Sequence, residues 1–235
     1  MNSTLKIFTM LLGTTLALNL AMNYMGDNIS DFESLPLPLK RTMVIKTNNP
    51  VLKVDAQSKE RWTLVDFSSK KTFQISDPES DKEQMNQQDW DLGFQRTKII
   101  SNGGVTNPQG VVTIANLGPV DFDSVVRIPE ANFVPDVRSW GNVNNPSIVG
   151  WYLYRQRTHN IESKRNVYIV KTSDGYLKLK ILNYYCKRAE SACESAMCPR
   201  DEAACLTVEY SHIKPGEQAF PSPPLPRPKT AQVTP

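Results

Sequence analysis

The run Val167-Tyr-Ile-Val-Lys-Thr172, then Ser173-Asp174-Gly175, then Tyr176-Leu-Lys-Leu-Lys-Ile-Leu-Asn-Tyr184 decides the fold. β-Branched and aromatic residues fill both arms and Asp-Gly lies between them, the strongest short-range signal of a β-hairpin. In the second arm Leu177, Leu179 and Ile181 fall on one face and Lys178 and Lys180 on the other, the period of a strand with one apolar side. Downstream, Leu206-Thr-Val-Glu-Tyr-Ser-His212 puts Leu206, Val208, Tyr210 and His212 on one face. Upstream, Arg61-Trp-Thr-Leu-Val-Asp-Phe67 mixes aromatic and β-branched residues, and Trp90-Asp-Leu-Gly-Phe-Gln-Arg96 alternates. Residues 101–150 are rich in Asn, Gly and Pro and read as irregular loops and edge strands. No stretch after residue 26 carries a long helical period. The expectation is an all-β domain over residues 51–213, an antiparallel two-layer sheet with long loops.

The flanks differ in kind. From Ile7 to Met25 no residue is charged, and a bilayer span needs about 20 such residues. Lys6 precedes this run, and Asp27, Asp31 and Glu33 follow it. That bias orients the amino end inward and the remainder outward. Residues 1–26 are therefore expected to be a single N-terminal transmembrane helix or a cleaved signal segment, and both readings stay open. Either one places the domain on the extracytoplasmic, periplasmic side, membrane-anchored or secreted. Residues 27–50, with Leu35-Pro-Leu-Pro-Leu39, read as a tether. Residues 214–235, with Pro221-Ser-Pro-Pro-Leu-Pro-Arg-Pro228, read as a polyproline-like tail.

All four cysteines lie in one short stretch, Cys186, Cys193, Cys198 and Cys205. An even, clustered set in an exported chain implies disulfides, and four cysteines allow three pairings. The nested pairing Cys186–Cys205 with Cys193–Cys198 is favoured, because the flanks look like two antiparallel strands. A zinc site is the rival, but the tight Cys-x-x-Cys pairs of zinc ribbons are missing. Residues 186–205 then form an insertion stapled at its base.

Charge and motifs narrow the function. The net charge is +3, from 27 basic and 24 acidic residues. There is no basic stripe with interleaved aromatics, so nucleic acid is not an expected partner. There is no Cys/His pair, no clustered Ser/His/Asp set and no phosphate-cradling glycine loop, so an enzyme is not expected. Asp89 and Asp91 flank Trp90 but do not read as an acid/base pair.

Several segments resemble the HmuY family of bacterial exported haem-binding proteins. They are Trp62 with Phe67, the run Trp90–Arg96, Ser101-Asn-Gly-Gly104, Gly150-Trp151, the hairpin Val167–Gly175, Lys178–Ile181 and Tyr184-Tyr185. Together they cover roughly residues 50–213, in the family's order. The resemblance implies an antiparallel all-β fold whose finger-like loops hold haem, with histidine or methionine as axial ligands. It also implies a ligand five residues after Trp151, where this chain has Gln156. His159 lies three residues further on, and between Gly118 and Gly150 there is neither His nor Met.

The chain holds two histidines, His159 and His212, and both are candidate iron ligands. His159 sits in Arg155-Gln-Arg-Thr-His-Asn160, where Arg155 or Arg157 would pair with a haem propionate. Its plainer reading is an exposed loop histidine. The plainer reading of His212 is a half-buried residue at a strand end. Met85 and Met197 are the thioether alternatives, each otherwise filler or exposed. The second function considered is an accessory subunit of a membrane complex, such as an electron-transfer complex, that binds an integral-membrane or exported protein and no haem.

Overall fold

Alternating apolar residues pair into two antiparallel sheets whose inner faces share one core. The structure is a computed structural model and describes residues 10, 12–20, 47–187, 189–193 and 196–221. The strands in chain order are β1 (Val51–Asp55), β2 (Trp62–Asp66), β3 (Lys71–Ile75), β4 (Leu92–Gln95), β5 (Lys98–Ser101), β6 (Thr113–Asn116), β7 (Val137–Ser139), β8 (Asn142–Asn144), β9 (Tyr152–Arg155), β10 (Asn160–Ser163), β11 (Val167–Thr172), β12 (Gly175–Tyr185) and β13 (Ala203–Ile213). One sheet has the order β1-β13-β12-β11-β6 and the other β3-β2-β4-β5, while β7–β8 and β9–β10 are separate hairpins. The only α-helical turn after residue 47, among the described residues, is Lys82–Asn86.

The deciding hairpin is β11–β12, with Val167 opposite Lys180 and Thr172 opposite Gly175. The two-residue turn is therefore Ser173-Asp174, one position earlier than the Asp-Gly reading predicts. Gly175 opens β12 at φ 143°, where a Cβ would strike the Ile213 carbonyl. Glycine is favoured there both by this positive φ and by the close approach of β13.

Val65, Phe67, Leu92, Phe94 and Ile99 of the smaller sheet meet Ile114, Tyr168, Val170, Leu177, Leu179, Ile181, Leu206 and Val208 of the larger one in a single buried cluster. A second cluster forms on the far side of the smaller sheet, from Trp62, Leu64, Ile75, Met85, Trp90 and Ile100. The outer face of the larger sheet is also covered. Ile169, Ile213 and Phe220 pack there with Val125, Ile128 and Phe133. The segment ending at Phe220 straps residues 126–128 through Ile128 N–H to the Gln218 carbonyl, 3.4 Å, and Phe220 N–H to the Val126 carbonyl, 2.8 Å. Lys178 is consequently buried. Its ammonium donates to the Phe122 and Val125 carbonyls at 2.8 and 2.9 Å and lies 4.2 Å from the Phe122 ring centre.

The expected transmembrane helix is not found, and this corrects the sequence reading. Residues 12–20 are helical, a length of roughly 14 Å against a hydrocarbon core of about 30 Å. Among the described residues no helix is long and apolar enough to cross a membrane. Within the 12–20 helix Thr15 and Asn19 bond back to the Leu12 and Thr15 carbonyls. Residues 1–9 and 21–26, the tether over residues 27–46 and the tail over residues 222–235 lie outside the described residues.

Candidate functional site

The β9–β10 hairpin has a rigid base and an exposed tip. Trp151, just before β9, is buried, and its indole N–H donates to the Thr97 carbonyl at 2.9 Å. Its ring meets Tyr152 edge-on at 5.2 Å and Tyr184 at 5.9 Å. On the other strand, Ile161 N–H donates to the Tyr185 hydroxyl at 2.9 Å, and the Ser163 hydroxyl to the Ile181 carbonyl at 2.6 Å. Ser163 N–H reaches Glu190 at 3.1 Å. Burial pushes the Glu190 carboxyl up to about 7, against the pull of that N–H.

The disulfides are Cys186–Cys205 and Cys193–Cys198. The first joins the end of β12 to β13, where Cys186 N–H also donates to the Glu202 carbonyl at 2.8 Å. The second closes a small loop that docks on Asn160. The buried Asn160 amide donates to the Cys193 and Ala196 carbonyls at 2.8 and 2.9 Å and accepts from Cys198 N–H at 2.8 Å. Met197 lies between the last two contacts and is 48% exposed.

Beyond this clamp the chain turns through Gln156, Arg157, Thr158 and His159. His159 takes the left-handed conformation, φ 55°, which a non-glycine residue adopts at some cost. Its Nδ1 is 2.6 Å from the Tyr154 hydroxyl, with the rings 6.0 Å apart. Tyr154 is 48% exposed, and Leu153 beside it 37%. Arg155 is committed to Glu162, by Nε at 2.8 Å and a second nitrogen at 2.6 Å. Arg157 is exposed at the tip, so of the two expected propionate partners it is the available one.

The two histidines do not meet. His212 lies opposite Leu177, near the β11–β12 turn, with Nε2 3.3 Å from Asp174 Oδ1. The His159 hairpin docks at the Tyr185 end of the same strand. Eight residues of strand separate those points, on the order of 20 Å or more, so His159 and His212 cannot ligate one iron. Met85 is buried in the second cluster, with its thioether inside the core. Of the two candidate methionines and two histidines, His159 and Met197 are the pair brought to one neighbourhood.

The quoted Trp90–Arg96 stretch is structural. Trp90 and Phe94 are core, and Gly93 leaves room for Leu64 and Ile100. The Arg96 guanidinium donates to the Gln57 and Ala203 carbonyls at 3.3 and 3.5 Å. Asp91 is buried and accepts Phe67 N–H at 2.9 Å. Burial raises it to about 7, opposed by that hydrogen bond and reinforced by Asp174, Asp66 and Asp89. Asp89 is exposed, so the two carboxylates occupy different environments. Among the described residues no group of three or more His, Cys, Asp or Glu side chains is arranged to hold a metal ion.

The sequence reading passed over Tyr154 and Asn160. A signal for Tyr154 was present: it precedes His159 by five residues across a tight turn. Asn160 carried none, since its partners lie more than thirty residues downstream.

A family model described as HmuY protein matches residues 58–195. Among solved structures, an HmuY-like heme binding protein from Bacteroides vulgatus superposes with a TM-score of 0.50 at 20% identity, covering 72% of this chain and 93% of that one. The apo HmuY analog of Tannerella forsythia gives 0.53 at 16% identity, covering 71% and 96%. Apo PinO from Porphyromonas gingivitis gives 0.52 at 14% identity, covering 72% and 99%. At these identities the likeness shows the fold. No curated protein matches the sequence.

Proposed function

Because the chain belongs to the HmuY family, we propose that it is an extracytoplasmic haem-binding protein of the haem-acquisition type, with its site at the tip of the β9–β10 hairpin and the adjoining disulfide loop. The observation that carries this reading is the exposed Tyr154–His159 pair beside Arg157, on a hairpin clamped at its base.

The donor set suits the group. Ferric haem presents a flat apolar face, one Lewis-acidic iron and two carboxylates. The tip offers apolar surface from Leu153 and Tyr154, an oxygen and a nitrogen donor 2.6 Å apart, and a guanidinium for a propionate. Haem, when bound, supplies the iron centre; the protein would supply ligation and charge pairing. On this reading the chain carries haem rather than transforming it. Two disulfides support an oxidising compartment.

The test is an ultraviolet–visible titration of the full chain with haemin. A saturable Soret change is expected, with affinity falling several-fold in Arg157→Glu. A spectrum no different from that of a non-binding control protein would sink the proposal.

A further inference from the structure

We propose that residues 214–220 form a releasable latch, pinned at Phe220, and that its release opens the outer face of the larger sheet over Ile169 and Lys178 while the sheet itself stays folded.

The attachment of the segment carries this inference. Residues 214–219 are all exposed, and Phe220 is the one buried side chain of the latch. Among the described residues, 215–221 make two hydrogen bonds to the rest of the domain. They run from Phe220 N–H to the Val126 carbonyl at 2.8 Å and from Ile128 N–H to the Gln218 carbonyl at 3.4 Å. The turn upstream closes on itself. Glu217 N–H donates to the Lys214 carbonyl at 3.1 Å, and Lys214 N–H to the Glu217 carboxylate at 2.9 Å. That turn asks nothing of the sheet, so it survives whether Phe220 is seated or free. The strand it follows, β13, is held on both sides, by β1 and by β12. The boundary between firm and light attachment therefore falls just after Ile213.

What lies beneath lowers the cost of release. Ile169, Lys178 and Ser211 stand side by side across β11, β12 and β13, and all three are buried. Ile169 packs on Phe220. The Lys178 ammonium has three donors and gives two of them to the Phe122 and Val125 carbonyls. The third has no hydrogen-bond partner among the described residues. The rings of Phe122 and Phe220 lie 4.2 and 5.0 Å from the nitrogen. A buried charge without its full set of acceptors is costly. Release of Phe220 exposes one apolar ring but admits water to that ammonium, and the two effects oppose each other. Segments with few buried contacts open at lower free energy than the ladders they cover.

The position of the latch gives it a regulatory sense. Pro221 follows Phe220 directly, and the proline-rich run continues to Pro228. Phe220 is the first buried side chain met on moving back along the chain from that run. Any factor that engages the run pulls first on Phe220, so occupancy of the tail is coupled to the cover over Lys178.

The test is amide exchange on the full chain, read residue by residue by NMR at several urea concentrations below the unfolding transition. Acylation of Lys178 by an amine-selective ester is read in parallel by mass spectrometry. In wild type the Phe220 and Ile128 amides should exchange roughly a hundredfold faster than those of the β12–β13 ladder, at rates that do not respond to urea. Lys178 should acylate with the same insensitivity to urea. Phe220→Ala should speed Ile128 exchange and Lys178 acylation roughly tenfold and leave the β12–β13 amides protected. Phe220→Leu, which restores an apolar anchor, should fall between. If the Phe220 and Ile128 amides and Lys178 follow the urea dependence of the ladder, the segment opens only with the whole fold and the latch is overturned. A Phe220→Ala chain that does not fold, or that exchanges and acylates like wild type, overturns it equally.

Discussion

Asn160 accepts the backbone N–H of Cys198 at 2.8 Å, and through the same side chain it returns two hydrogen bonds to the carbonyls of Cys193 and Ala196. One amide thus joins the site hairpin to the loop closed by the second disulfide. Asn160→Ala would leave two acceptors and one donor unpaired in a buried setting, at a cost on the order of 2–4 kcal/mol. Asn160→Asp should fare no better, because an ionised carboxylate faces two carbonyls it cannot donate to. Urea denaturation measures the loss, and a change under about 0.5 kcal/mol would show that the amide is not the clamp.

The two disulfides should contribute unequally. Cys186 and Cys205 are 19 residues apart and Cys193 and Cys198 only 5. On the chain-entropy view, removing the outer bridge costs about 3 kcal/mol and the inner one about 2. Paired Cys→Ala variants compared by denaturation would reveal the order. A larger loss from the inner pair would mean that docking onto Asn160, rather than loop closure, dominates.

Asp91 makes stability fall as pH rises. Burial lifts its folded value from 3.8 to about 7, so between about pH 4 and pH 7 the folded state holds a proton that the unfolded chain has lost. Stability declines through that window, and the full penalty is present above it. Asp91→Asn keeps an acceptor for Phe67 N–H and removes the titration. The variant should gain on the order of 4 kcal/mol over wild type at pH 8 relative to pH 4. Some slope should persist from Glu190, which burial also raises to about 7. Equal pH dependence in variant and wild type, read from denaturation midpoints, would count against this assignment.

Trp140 is 98% exposed at the tip of the β7–β8 hairpin, with φ 49° there and 78° at Gly141. A two-residue turn with both φ positive prefers Asn-Gly. Trp140→Asn should therefore stabilise the protein by about 0.5–1 kcal/mol. The other three tryptophans are buried, so the substitution should also abolish most acrylamide-quenchable fluorescence. Undiminished quenching would place an exposed indole elsewhere.

What was legible in the sequence is what depends on near neighbours. The β11–β12 hairpin announced itself through alternation, and the nested cysteine pairing followed from the strands on either side of the loop. The turn was misplaced by one residue because part of the demand on Gly175 comes from Ile213, almost forty residues away. Lys178 alternated like a solvent-facing residue, yet carbonyls of a loop more than fifty residues earlier cover it. The apolar run of the first 25 residues was read as a span from hydropathy alone, whereas the described helix there is short. In the site, His159 and Arg157 were named from residue type. The isolation of His212, the commitment of Arg155 to Glu162 and the reach of Tyr154 to His159 all depend on which strand ends lie together, and spacing along the chain does not encode that.

The pairing of β1 with β13, Val51 opposite Glu209, sets an order on synthesis. The first strand of the larger sheet emerges first and finds its neighbour last, after some 150 intervening residues. At about 5–20 residues per second that is roughly 8–30 s during which the β1 edge has no native partner. The larger sheet therefore cannot close until its last strand is made.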